Sequence, residues 1–258
     1  MIPDTETTAA LPGNLFSGPP RYQAASPWGP WSALAACLLI IAGQIATAVL
    51  ALQVFKTFTT IPVSDSDLQT LKTPAGLAVV LVSQITAALV VWLLAGRNRQ
   101  RAEVLSLLPP KSKWSTGVLG GLLVVGVTGL VELFLYAFIK YDYLADSQAI
   151  ADGLKSPLWL GTALMAVVFA PLWEELTFRG FLLSALAQTR LGFWPAALIS
   201  NSIWTALHAY SPAGIASVFT AGLVLSWLMW RTGSMRVPVI AHATANLFAV
   251  GFAYFMHA

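Results

Sequence analysis

The stretch Gly117–Ile139, GVLGGLLVVGVTGLVELFLYAFI, runs for 23 residues with one charge, Glu132. A helix of that length reaches roughly 35 Å, enough to cross the ~30 Å hydrocarbon core of a bilayer. Apolar residues follow one another here instead of alternating, so the segment does not read as a strand of a transmembrane β-barrel. Six further runs share its character, at about 31–55, 75–96, 158–189, 193–209, 213–231 and 237–256. The run at 158–189 is longer than one crossing needs, and the one at 193–209 is short. The expected fold class is therefore all-α: a polytopic transmembrane helical bundle of about seven spans, or eight if the long run is broken.

Composition points the same way. The 258 residues are 57% hydrophobic and 10% charged, and the mean hydropathy is +0.73. A soluble surface needs roughly a quarter to a third of its positions charged. The formal net charge of +3 does not indicate nucleic acid, because Lys and Arg sit between apolar runs, where they orient spans. Placing Arg97, Arg99, Arg101, Lys111 and Lys113 in a cytoplasmic loop brings Arg21, Arg190, Arg231 and Arg236 to the same side, against Lys56, Lys72, Lys140 and Lys155 outside. The N-terminus is then cytoplasmic. Residues 1–30 hold six prolines and no apolar period, the composition of a disordered tail. Cys37 has no second cysteine to pair with. The tetrapeptide ending in it precedes an apolar run instead of following one, which excludes a lipoprotein cleavage box, and the run from 31 to 55 reads as a retained span.

Six polar groups interrupt the last four runs: Glu174, Glu175, Arg179, His208, His242 and Asn246. A charge at a helix centre costs roughly 2.5–3.5 kcal/mol on insertion scales, so such groups belong in the bundle interior. Glu175 and Arg179 are four apart with the acid first, the favourable order for a helical ion pair. Glu174 points about 100° away from that pair and has no partner at helical spacing. Two adjacent acids thus take different jobs: Glu175 is held ionised by Arg179, and Glu174 is left as a candidate base. Glu174 lies 17 residues before Leu191, in the Arg190-Leu191-Gly192 turn, and His208 lies 17 after it. In an antiparallel hairpin those positions share a depth. Asn201, Trp204 and His208 lie on one face of the second helix, as do His242 and Asn246 on the last. His242 follows the Arg231–Arg236 loop closely, while His208 lies near the opposite end of its run. The two meet only if residues 180–198 project beyond the membrane or if Ser211-Pro212 is a break at depth.

These residues resemble the CPBP family of intramembrane proteases, also called the Abi or type II CAAX prenyl endopeptidase family. Its three motifs are matched by Glu174-Glu175-Leu176-Thr177-Phe178-Arg179, Trp204-Thr205-Ala206-Leu207-His208 and His242-Ala243-Thr244-Ala245-Asn246. Trp204 stands where the family usually has Phe, which keeps an aromatic packing role beside the site and enlarges the ring. The resemblance covers residues 158–256 and implies a catalytic core there, behind N-terminal transmembrane helices at 31–157. It implies an intramembrane endopeptidase in which Glu174 activates water with help from His208, His242 and Asn246 stabilise the oxyanion, and Glu175 and Arg179 give structural support. No cofactor is certain. If zinc were used, Glu174, His208 and His242 would be its ligands, although the His-Glu-x-x-His signature is absent. The expected partners are membrane lipids and a peptide or protein substrate, lipidated or not, with no nucleic acid. The expected setting is a bacterial plasma membrane.

Two other classes compete. Relatives with these motifs are implicated as non-catalytic membrane factors, in bacteriocin immunity or as scaffolds, where the same residues form a structural network. Intramembrane Glu and His also build proton relays, but paired repeats with broken helices, the mark of a transporter, are not visible. Glu132, alone in its span, reads as an interhelical hydrogen bond. Trp173 reads as packing, and His257 at the C-terminus as incidental.

Overall fold

The computed structural model describes residues 15–16, 18–58, 71–97, 101–108, 113–140 and 144–257. Residues 1–14, Arg99, Lys111 and Asp142 lie outside them. Among the described residues there is helix and no strand. The long elements are α1 (Pro30–Phe58), α2 (Pro74–Ala95) and α3 (Ser115–Ile139), then a short α4 (Gln148–Leu154). They are followed by α5 (Trp159–Ala187), α6 (Phe193–Ala206), α7 (Pro212–Thr232) and α8 (Arg236–Met256). A single turn at Arg101–Val104 and a tight turn at Ala145–Ser147 occupy the loops. Each of the seven apolar runs has become one helix. Six of these are long and apolar enough to cross a membrane. The exception is α6, whose 14 residues reach only about 21 Å.

Helix ends follow local chemistry. Thr73 caps α2 by accepting from Gly76 N at 3.1 Å with Pro74 at the first position. Ser211 caps α7 in the same way through Gly214 N, ahead of Pro212. A proline there loses no intrahelical bond and presets the backbone. Gly233 ends α7 in the left-handed region, φ 64°, where glycine alone has no steric penalty.

Small residues set the packing. Along α3, Gly117 and Gly121 lie against α8 and Gly120 against Leu228 of α7, and a Cβ on Gly121 would stand 2.6 Å from the Ala241 carbonyl oxygen. Close backbone approach of this kind is how membrane helices associate where the hydrophobic effect gives them no drive. The largest buried cluster joins α1 and α2 to α5 and α6 through residues such as Cys37, Val91, Phe178, Phe181 and Trp204. Glu132 of α3 accepts from Ser217 Oγ of α7 at 2.7 Å, the interhelical bond expected of it.

Residues 18–29, within the stretch whose composition reads as a disordered tail, are extended and docked. Arg21 and Tyr22 donate their N–H groups to the Trp230 carbonyl, Ser184 Oγ donates to Ala25 O at 2.6 Å, and Trp28 Nε1 donates to Leu94 O. Trp28 also meets Phe181 edge to face. A segment too polar to make a core can still order itself by completing the unpaired carbonyls of helix ends.

Gly180 abuts Met235, which precedes α8, and Leu105. The part of α5 beyond Gly180 therefore runs past the α7–α8 connection. His242, six residues into α8, comes level with Glu175.

Candidate active site

The site is assembled by α5, α6 and α8, and α5 is not a uniform helix. It is α-helical at Ala170–Glu174 and widens to π geometry at Met165–Phe169 and Glu175–Leu182. Pro171 gives the first widening a cause. It has no N–H to return to the carbonyls one turn back, and Asn246 Nδ2 of α8 donates to the Ala166 carbonyl at 2.8 Å in its place. Single π turns of this sort gather at functional sites.

Glu175 lies at the centre of a buried ionic cluster. Its Oε1 accepts from Arg179 Nη1 at 3.0 Å and from His242 Nδ1 at 2.8 Å. Arg179 is 1% exposed, and its Nη2 reaches Asn201 Oδ1 at 3.2 Å. Asn201 in turn donates to the Phe219 carbonyl of α7. The chain of contacts crosses four helices, and the expected Glu175–Arg179 pair is its middle link. Gly222 of α7 makes room for it, since a side chain there would collide with Asn201 Oδ1.

Glu174 has different company. Its Oε2 accepts from Trp204 Nε1 at 2.7 Å and lies 3.9 Å from His242 Nε2. A carboxylate only accepts, so Nδ1 of His242 carries the hydrogen toward Glu175 and Nε2 faces Glu174. His208 sits just beyond the end of α6, half-buried. Its Nδ1 lies 3.0 Å from the Trp204 carbonyl, which fixes the hydrogen on Nδ1 and leaves Nε2 as the acceptor. Its ring stands edge-on to Trp204, centroids 5.0 Å apart.

Equal distance from Leu191 suggested that Glu174 and His208 face each other. Glu174 is hydrogen-bonded to Trp204, 13 residues past Leu191, and not to His208. The π stretch Glu175–Leu182 winds more residues into each turn, so α5 climbs less per residue than α6. Trp204, expected as packing, is a polar contact as well. The signal was present, because a buried indole N–H seeks an acceptor. His257, expected as incidental, accepts or donates at Ser147 Oγ, 2.9 Å away.

Among the described residues no three His, Cys, Asp or Glu side chains gather closely enough to hold a metal ion. Glu174 and His242 approach one another, but His208 does not complete the trio. The arrangement does not fit a three-ligand zinc site.

The curated relatives are bacterial. A Bacillus subtilis protein named as a candidate membrane peptidase, YdiL, is 29% identical over 158 residues, 60% of this chain and 59% of its own length. An uncharacterised 24.3 kDa protein of Escherichia coli is 28% identical over 52% of this chain and 68% of its own. The uncharacterised Bacillus subtilis protein YyaK is 34% identical over 45% of this chain and 46% of its own. The matched region therefore spans from under half to about two thirds of these relatives. No solved structure matches. Over residues 156–248, the part of the chain that carries every residue of the site, the sequence matches the Rce1-like family of type II CAAX prenyl endopeptidases.

Proposed function

We propose that this integral membrane protein is an endopeptidase that cleaves a peptide bond of a membrane-associated substrate, with Glu174 as the base. The observation that carries the reading is the 3.9 Å gap between Glu174 Oε2 and His242 Nε2. It is too wide for a hydrogen bond, yet a water can stand about 2.8 Å from both atoms. Such a water attacks the scissile carbonyl carbon while its proton passes to Glu174. The carbonyl oxygen becomes an oxyanion, stabilised by the second N–H of Asn246, while the attacking oxygen keeps its other hydrogen, which it donates to His242 Nε2. When the C–N bond breaks, Glu174 returns its proton to the leaving amine, with His208 assisting. Glu175, between Arg179 and His242, orients the imidazole. No step is routed through a metal. The protein belongs, on this reading, to a bacterial plasma membrane with its N-terminus cytoplasmic, and residues 158–256 form the catalytic core.

The test is proteolysis of a peptide library by the purified protein in detergent, with Glu174→Gln as control. Cleavage by the parent and none by the variant supports the reading; equal cleavage by both refutes it. A non-catalytic membrane factor is the second reading. It draws on the extent to which Glu175, Arg179, Asn201 and Asn246 are already bonded to one another or to backbone. It expects no cleavage by either protein and a phenotype that Glu174→Gln leaves intact.

A further inference from the structure

Glu174 and Glu175 are adjacent buried acids, and the structure solvates them in opposite ways. Glu175 is neutralised by a cation, Arg179, at 3.0 Å. Glu174 has no such partner, because both terminal nitrogens of Arg179 are committed, one to Glu175 and the other to Asn201. A buried carboxylate left without a donor is strongly penalised. One locked to a guanidinium is a poor proton acceptor. Glu174 meets an intermediate case: a single neutral donor, the indole N–H of Trp204, at 2.7 Å.

That indole is also the hub of the site. It is 3% exposed. The Arg179 guanidinium lies over its face at 4.2 Å, and both His208 and His242 meet it at right angles, at 5.0 and 5.7 Å between centroids. A cation on the ring face draws electron density from the indole, which strengthens its N–H as a donor. Arg179 thereby acts on both acids, directly on Glu175 and through a neutral ring on Glu174.

We infer that Trp204 is a positioning residue for the base: its N–H holds Glu174 Oε2 toward His242 Nε2 and the water between them, without the salt bridge that would silence the carboxylate. Phenylalanine, the residue the family pattern usually carries here, packs in the same place but has no hydrogen to offer. In this chain the aromatic position has gained a polar task. The inference rests on the proposed role of Glu174.

Trp204→Phe separates the N–H from the ring. The variant keeps a ring in place but leaves Glu174 without its donor and the rest of the indole's volume unfilled, so its melting temperature falls and kcat is read per folded molecule. Its kcat falls about ten- to a hundredfold, the range for losing a hydrogen bond to a charged group, while KM is unchanged. A purely structural role would lower the melting temperature as well but leave kcat per folded molecule intact. A second readout needs no activity. In protein labelled with 15N-tryptophan, the indole resonance missing from Trp204→Phe is that of Trp204. Glu174→Gln should shift it upfield, because a neutral amide replaces a charged acceptor. An indole resonance that ignores Glu174→Gln overturns the inference. So does a Trp204→Phe enzyme with full kcat where Glu174→Gln is dead, and that result leaves the proposed function standing.

Discussion

Arg179→Met asks how much of the fold depends on one buried cation. In the native protein the Arg179 guanidinium bonds Glu175 at 3.0 Å and Asn201 at 3.2 Å and stacks on Trp204. Methionine fills much of the space and supplies none of the donors. Glu175 is then left at 0% exposure with His242 as its one remaining donor, and its Oε2 is already unpaired in the native state. Breaking a buried pair from one side costs roughly 3–5 kcal/mol, because a charge is stranded in an apolar setting. Losing the cation over the ring adds about 1–2 kcal/mol; the two overlap, since the same guanidinium makes both contacts. Glu174→Gln strands no charge and should cost far less. Thermal melts of the purified proteins in one detergent give the order: Arg179→Met well below Glu174→Gln, which lies near the parent. Glu175→Gln combined with Arg179→Met removes the stranded charge and should melt above Arg179→Met alone. If Arg179→Met melts with the parent, or below it by less than Glu174→Gln does, the cluster is not what holds these helices together.

The remaining predictions concern the chemistry and its supports. Glu174→Ala and His208→Ala should each abolish proteolysis while leaving folded protein that can be extracted from membranes; near-full turnover in either would remove that residue from the mechanism. Prolonged dialysis against chelator should leave activity unchanged, and zinc-dependent recovery of lost activity would show that a metal is required. Asn246→Ala removes both an oxyanion donor and the bond to the Ala166 carbonyl. It should lower kcat about a hundred- to a thousandfold, ~2.7–4 kcal/mol, and a change confined to KM would contradict the donor role. Asp146 accepts from both the N–H and the hydroxyl of Ser211, at 2.8 and 2.7 Å. Asp146→Ala should therefore speed hydrogen exchange at the start of α7 more than anywhere else in the protein, and uniform exchange would refute the local latch.

What could be read directly from the sequence is what depends on short-range periodicity and on solvent. Seven apolar runs gave seven helices because backbone groups in a bilayer must bond within their own segment. The Glu175–Arg179 pair, the shared face of Asn201 and Trp204, and that of His242 and Asn246 follow from the helical repeat, which spacings of three and four residues reveal. Contacts between helices required the tertiary structure. Trp204, not His208, stands against Glu174 because π turns in α5 change its rise and phase, and residue spacing cannot show where they fall. Pro171 is plain in the sequence, but that Asn246 serves the carbonyl beside it depends on how α8 lies along α5. The docking of residues 18–29 is likewise invisible to composition, since a Pro-rich segment orders itself only when helix ends elsewhere offer carbonyls to complete. Local chemistry decided which groups are buried and gave the cation of Arg179 to Glu175 within one helix; the packing of the bundle decided that Glu174 receives an indole N–H from another helix.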